Sequence, residues 1–321
     1  MLKKKLYLLL LVFVLIFTFT GCSNTSNVQE SSKTAQTHKA NDSMRQQANT
    51  EGNNQTSVSG KLTVSFIDVG QGDSELIQTP SGKTMLIDAG IPEMGSKVAD
   101  YIKNRGVSRI DVLVATHPHN DHIGGIPAVI SNFDIGKFYI PKVTTNTKAF
   151  ENVLIAAKNK GISINVAKAG VTLDLGSDIK AEMIAPNSLH YDKLNNYSAV
   201  IKITYKNTSF LFTGDAEGES EQEMLNKNYD LKADVLKVGH HGSRTASTLP
   251  FLKAVSPKYA VISCGKNNDY GHPHKVTMGK LKNAGITVYR TDECGTIVAV
   301  SDGNNINFNV NPGDYKYGSQ Y

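Results

Sequence analysis

The stretch IDVLVATHPHNDHIGG, residues 110–125, joins an apolar run rich in branched side chains to a crowd of ligand-type residues. The run reads as a buried strand, so whatever fold the chain adopts must carry His117, His119, Asp121 and His122 at the end of such a strand. A lone histidine there would read as part of a polar surface loop. Three histidines and a carboxylate in H-x-H-x-D-H spacing instead combine imidazole nitrogen with carboxylate oxygen, a donor set that suits Zn²⁺, Mn²⁺ or Fe.

The flanking elements set the architecture. Short β-rich runs come first, LTVSFIDV (62–69), ELIQT (75–79) and TMLIDAG (84–90), each bounded by Gly, Pro or Ser. A helical pattern at KVADYIKNRG stops at Gly106, and the strand 110–116 follows. Beyond the cluster, IGGIPAVISNF predicts a helix. A second β-rich block, AVIKITY (199–205) and SFLFTGD (209–215), then leads into alternating helices and strands: EGESEQEMLNK, ADVLKVG, TLPFLKAV, YAVISCG and KVTMGKLKNAG. LIDAG and LFTGD are both strands that finish in a carboxylate, Asp88 and Asp215. Strands followed by β/α units, twice over, predict an α/β (α+β) domain of two face-to-face sheets with helices outside, spanning about residues 61–312 with a short tail at 313–321. One sheet edge should then collect Asp88, the 117–122 cluster, Asp215 and His240.

The N-terminus differs in kind. MLKKKLYLLLLVFVLIFTFTGC carries three lysines, an uncharged apolar run and Gly-Cys at its end, the pattern of a secretory leader ending in a lipobox-like site (residues 1–22) with Cys22 as the lipidated residue. An uncleaved anchor is the rival reading, and both put the remainder outside the cytoplasm, at the outer face of the cell membrane or secreted. Residues 23–60 are Ser/Thr/Asn/Gln-rich with few large apolar side chains, which predicts a flexible tether. Lys3, Lys4 and Lys5 account for most of the net charge of +5, so the folded part is close to neutral and bulk charge does not argue for nucleic acid capture. Cys264 and Cys294 read equally as a disulfide or as two buried thiols.

THPHNDHIGG resembles the H-x-H-x-D-H-x-G-G signature of the metallo-β-lactamase superfamily, and TGDAE resembles its bridging-carboxylate motif. FIDVGQGDSELI, LIDAG, LKVGHHGS and YGHPH are together similar to the extracytoplasmic hydrolase-like domain of the ComEC family of DNA-uptake proteins and its stand-alone relatives. The resemblance spans residues 61–310 and implies the αββα sandwich and a metal-dependent hydrolase with one or two divalent ions, Zn²⁺ or Mn²⁺. It assigns His117 and His119 to one metal, Asp121 and His122 to the second, and Asp215 between them; with a single metal, Asp121 is instead the base that orients the water. A phosphodiester, DNA in particular, is the implied substrate. Another ester or amide, or a non-catalytic module that binds DNA or wall, are the alternatives, and nothing in the sequence names a protein partner.

Two departures from the pattern leave positions open. The third histidine usually supplied to the first metal is absent from LNNYSAVIKI, which offers Asn195, Asn196 and Ser198, and His190 lies just upstream. The last ligand is either His240, with His272 touching substrate, or a residue near Ser263, Cys264 or His272, with His240 as proton donor. Asn196, Ser198, His241, Ser243 and Arg244 are candidates for substrate contact, the guanidinium because it suits a phosphodiester. Asp88 is expected to orient a ligand histidine rather than bind metal, and Asp68 and Asp73 either hold loops or touch substrate.

Overall fold

The computed structural model describes residues 60–318, so the leader, Cys22 and nearly all of the expected tether lie outside the described residues. The first sheet contains β1 (Leu62–Phe66), β2 (Glu75–Gln78), β3 (Thr84–Ile87), β4 (Arg109–Val114), β5 (Asp134–Pro141), β6 (Ile164–Ala167), β13 (Ile297–Ser301) and β14 (Ile306–Phe308). Their order across the sheet is β14-β13-β1-β2-β3-β4-β5-β6. The second contains β7 (Ile179–Ala185), β8 (Val200–Tyr205), β9 (Thr208–Phe212), β10 (Val235–Lys237), β11 (Tyr259–Ile262) and β12 (Thr287–Arg290), in the order β12-β11-β10-β9-β8-β7.

Three apolar cores hold the layers together. Within β4, Val112 and Val114 face the second sheet, where they join Phe66, Met85, Ile201, Phe210 and Phe212. Leu113 points the other way, onto the helices α1 (Gly95–Asn104), α2 (Asn120–Ile123), α3 (Ile126–Asn132) and α4 (Lys148–Asn159). This alternation is what a strand buried on both faces must show. The outer face of the second sheet is covered by α5 (Gly218–Asn226), α6 (Leu249–Val255) and α7 (Lys275–Asn283). The result is the αββα sandwich that the sequence predicts. Each large apolar side chain removed from water contributes about 1.5–3 kcal/mol, and all three cores draw on both helices and strands or on both sheets.

Parallel pairing positions the site. β3, β4 and β5 pair in parallel, as do β9, β10, β11 and β12. Parallel neighbours deliver their carboxyl ends to the same edge. Asp88 after β3, His117 after β4, Asp215 after β9, His240 and His241 after β10, and Ser263 after β11 therefore converge.

At the C-terminus the structure extends the expected domain. Gly313 N donates to Val288 O (2.9 Å), Arg290 Nη1 to Lys316 O (2.5 Å), the Tyr315 hydroxyl to Ile286 O (2.8 Å) and Gly318 N to Pro273 O (2.9 Å). Residues 313–318 are thus docked on β12 and the loop after β11 rather than forming a tail. Cys264 and Cys294 are both free thiols. They belong to different cores, Cys264 under the outer helices and Cys294 beside the inter-sheet layer, which excludes the disulfide alternative here.

Candidate metal centre

The end of β4 is fastened before any donor atom is placed. Asp88 has a left-handed backbone (φ 54°), which Asp tolerates better than most residues. Its carboxylate accepts from Thr116 N (2.8 Å), the Thr116 hydroxyl (2.6 Å) and His122 Nδ1 (2.8 Å). The GQGDS turn packs under the ligand turn: Asp73 N donates to Asp121 O (3.2 Å), and a Cβ on Gly72 would lie 2.3 Å from that same oxygen. Only glycine, with its φ of 144°, fits that approach.

Three groups of donor atoms have their members within 4.8 Å of one another; Asp73, Asp88 and His122 form one, around the far nitrogen of the His122 ring, and the other two both include Asp215. In the first of these two, Asp215 Oδ1 lies 3.2 Å from His122 Nε2 and 3.5 Å from His241 Nε2. Asp121 Oδ2 lies 3.2 Å from His241 Nε2 and 3.8 Å from His122 Nε2. In the second, His117 Nε2 and His119 Nδ1 are 2.9 Å apart, and Asp215 Oδ2 is 3.7 Å from His117 Nε2. One carboxylate therefore offers one oxygen to each of these two groups.

The residues fit divalent cations. His122 Nε2 and Asp215 Oδ1 are buried, face each other at 3.2 Å and bond to no other described residue, so both are available to a cation placed between them. The far nitrogens of the rings are already committed. His122 Nδ1 donates to Asp88, and His241 Nδ1 donates to Ser263 O (2.9 Å) and lies 3.3 Å from Asp73 Oδ1. In each neutral ring that leaves the Nε2 lone pair for a metal. His117 Nδ1 is held by the hydroxyls of Thr116 (3.1 Å) and Ser198 (3.3 Å). When bound, such cations supply Lewis acidity toward a carbonyl or phosphoryl oxygen and an acidified water.

Charge follows the same geometry. Burial works against the charged form of His122, yet Asp215, Asp121 and Asp88 outweigh it and hold the imidazole well above its ordinary pKa. Burial likewise opposes charge on His241, but Asp215 and Asp73 raise it to about 10. Desolvation also opposes ionisation of Asp215 and Asp121, and the surrounding imidazoles bring both below the usual carboxylate range. His117 behaves oppositely: burial and the neighbouring His122 push it well below its ordinary value.

The structure closes the four-donor group with His241, not with His240. Both residues have left-handed backbones (φ 54° and 49°), and their rings lie 5.9 Å apart, that of His241 within the four-donor group and that of His240 beside it. Strain of this kind costs on the order of 1–3 kcal/mol and persists where surrounding contacts impose it. His240 Nδ1 donates to Glu217 Oε1 (3.2 Å), while its Nε2 lies 3.6 Å from Asp215 Oδ2. Asn195 Nδ2 (3.3 Å), the Thr245 hydroxyl (2.8 Å) and Lys193 Nζ (2.8 Å) also donate to Glu217. Burial would raise that carboxyl, but these bonds, His240 first among them, hold it at about 2.

Other expected site residues are redistributed. Ser198 is buried and donates nothing outward: its hydroxyl meets His117 Nδ1 and accepts from Asp215 N (3.0 Å). Asn196 is buried and bonds Glu217 N and Glu219, so neither residue is free to contact substrate. The His190 side chain is 85% exposed beside Asp192 and joins neither donor group. His241 is committed to the donor group and buried, so it too leaves the set of substrate contacts. Ser243 is buried and bonded to Thr245, whereas Arg244 is exposed. His272 is buried with its ring 5.5 Å from that of His240 and 6.0 Å from that of His241. Burial and those two histidines depress it to about 3, so it is neutral.

The sequence reading missed Lys237, a wholly buried lysine whose ammonium lies 2.5 Å from Asp73 Oδ2. A lysine inside the apolar run VLKVG was the available signal, because a buried cation requires a partner. Burial disfavours its charge, but Asp73 and the nearby Glu75 outweigh that and raise its pKa. Asp73 therefore ties Lys237 to His241.

A model of the metallo-beta-lactamase superfamily matches residues 67–266. The chain belongs to this superfamily of metal-dependent hydrolases, whose members use one or two divalent metals. It is 35% identical over 257 residues to ComE operon protein 3 of Bacillus subtilis, covering 75% of this chain and 33% of that protein. It is also 30% identical over 239 residues to the competence protein ComA of Neisseria gonorrhoeae, covering 74% and 32%. The chain thus spans about a third of the length of these curated relatives. Its fold is similar to that of the metallo-beta-lactamase fold protein YhfI from Bacillus subtilis, with a TM-score of 0.52 and 13% identity over 75% of this chain and all of that one. Among the described residues no helix is long and apolar enough to cross a membrane.

Proposed function

We propose that the protein is an exported, lipid-anchored metal-dependent phosphodiesterase that cleaves DNA, loaded with Zn²⁺ or Mn²⁺. The observation that carries this reading is Asp215, whose two oxygens serve two donor groups at once. Such a shared carboxylate matches paired-cation sites that stabilise both the attacking and leaving oxygens of a phosphoryl displacement. The likeness to competence proteins supports DNA as the phosphodiester, and the leader ending in Gly21-Cys22 supports export and anchoring.

The chain's own residues then divide the work. Asp121, His122, His241 and Asp215 would hold one cation, and His117, His119 and Asp215 would hold the other. Asp121 is the more accessible carboxylate of the set and can orient a water. His240, steadied by Glu217 with its Nε2 toward the centre, can give a proton to the leaving oxygen. His272 packs against that ring as a neutral neighbour to substrate.

The purified full chain in detergent, supplied with Mn²⁺ or Zn²⁺, should cut single- or double-stranded DNA at a rate that the Asp121→Ala/His122→Ala double variant lacks. Equal rates for the two proteins would overturn the nuclease reading. Cys22→Ser should move the same activity out of the membrane fraction, and its retention there would count against lipid anchoring.

A further inference from the structure

Beside the donor groups, the loop after β11 presents an aromatic ring to solvent. Tyr270 is 65% exposed, a large apolar surface left in water at the rim of the site. Its ring stacks on His272, with centroids 5.6 Å apart and planes inclined by 20°. The His272 ring in turn lies 6.0 Å from His241, so two ring spacings connect Tyr270 to the four-donor group.

The loop is constructed to keep that ring in place. Asn268 Oδ1 accepts from Tyr270 N (3.2 Å) and His272 N (2.9 Å), while its amide donates to Gly265 O (2.8 Å) and His272 O (2.7 Å). Gln71 anchors the other side, accepting from Gly265 N (3.1 Å) and lying 3.4 Å from His272 Nδ1. Residues 313–318 brace it from behind through Gly318. Arg244 is exposed on the turn after His241, and Lys275, which opens α7 after this loop, lies 5.7 Å over the ring of Tyr317. An exposed tyrosine on a mobile loop would carry no message. One fixed by bonds on both sides of its backbone, parallel to a ring of the site, is a preorganised flat surface.

We propose that Tyr270 is a stacking platform for a nucleobase of single-stranded DNA, adjacent to the phosphodiester held at the donor groups. This rests on the phosphodiesterase reading above and names the form of its substrate. A base can stack on Tyr270 only when it is unpaired and splayed from its neighbours, so the platform selects single strands, ends and gaps over continuous duplex. Base-on-aromatic stacking tolerates any sequence because every base has a π-face, so the platform confers strand form and not sequence.

The test separates the platform from the chemistry. Binding of the full chain in EDTA is read by fluorescence anisotropy with a labelled oligothymidylate, an abasic oligonucleotide of equal length and a duplex; cleavage of the same three is read with Mn²⁺. Tyr270→Ala should weaken oligothymidylate binding by roughly five- to a hundredfold, Tyr270→Phe should restore it, and abasic binding should be the same in all three proteins. In cleavage, Tyr270→Ala should raise KM for the single strand more than it lowers kcat. Base-dependent binding lost in Tyr270→Ala, in a wild type that cleaves nothing, would uphold the platform and overturn the nuclease reading. Cleavage that is normal, with Tyr270→Ala binding oligothymidylate as wild type does, would overturn the platform alone. A wild type that neither prefers bases nor cleaves would overturn both.

Discussion

The two donor groups share Asp215 yet are built to different standards. Asp121, His122, His241 and Asp215 form a four-donor group in which each imidazole has its far nitrogen pinned, by Asp88 for His122 and by Ser263 O with Asp73 for His241. His117, His119 and Asp215 form a three-donor group, steadied by two hydroxyls on His117, with His119 only partly buried. The difference teaches that affinity for metal is set as much by what restrains a ligand as by the ligand itself. The four-donor group should hold its cation firmly, and the three-donor group should exchange it.

The strongest way to break this contrast is to remove its deepest support. Lys237→Met leaves Asp73 buried without its cation, which should cost about 3–5 kcal/mol of stability, measured by chemical denaturation of the metal-free protein. A loss below about 1 kcal/mol would mean that Asp73 and Lys237 do not restrain His241 as a unit.

A smaller and more selective effect is expected one step closer in. Asp88→Asn preserves a residue type that accepts the left-handed backbone but removes the charge that holds His122, so affinity for the tighter cation should fall about 10–100-fold. Ser198→Ala should weaken only the second, looser binding event. Isothermal titration with Zn²⁺ resolves the two steps, and an equal response of both steps to either substitution would erase the distinction between the groups.

A further effect separates them by pH. His122 and His241 have folded pKa values above the unfolded imidazole value, His241 at about 10. Their contribution to the metal-free fold is complete below about pH 6.5 and is lost as the pH rises through the folded values. His117 and His119 are depressed and stay neutral in both states over that window, so they contribute nothing to it. Metal-free protein should therefore melt progressively lower between pH 7 and about 10. His241→Asn should flatten the slope and His119→Asn should leave it; a slope that ignores His241→Asn would show the proton on that ring to be unimportant.

Much of this was legible in the chain. Runs such as IDVLVAT and SFLFTGD announce buried strands, and donors carried on one short turn, His117 to His122, must end up together because no fold can separate six residues far. The pairing of His240 with Glu217, and of His241 with Asp121, was not legible. Adjacent histidines have the same chemistry, and they are told apart by partners from distant elements, Ser263 O and Asp73 for His241 and Glu217 for His240. Asn196 and Ser198 were misread for a similar reason: polar residues near a site face outward or inward according to packing, and here both face inward to hold Glu217, His117 and Asp215.

The sequence by itself determined the layered α/β class, the carboxylates at the strand ends and the kind of atoms available for metal, because periodicity and local spacing act over a few residues. Only the tertiary structure decided that His241 completes the four-donor group, that Lys237 and Asp73 meet across 164 positions, and that residues 313–318 brace the loop of Tyr270. Those contacts depend on which strand ends the two sheets bring to one edge, and short-range pattern carries no record of that.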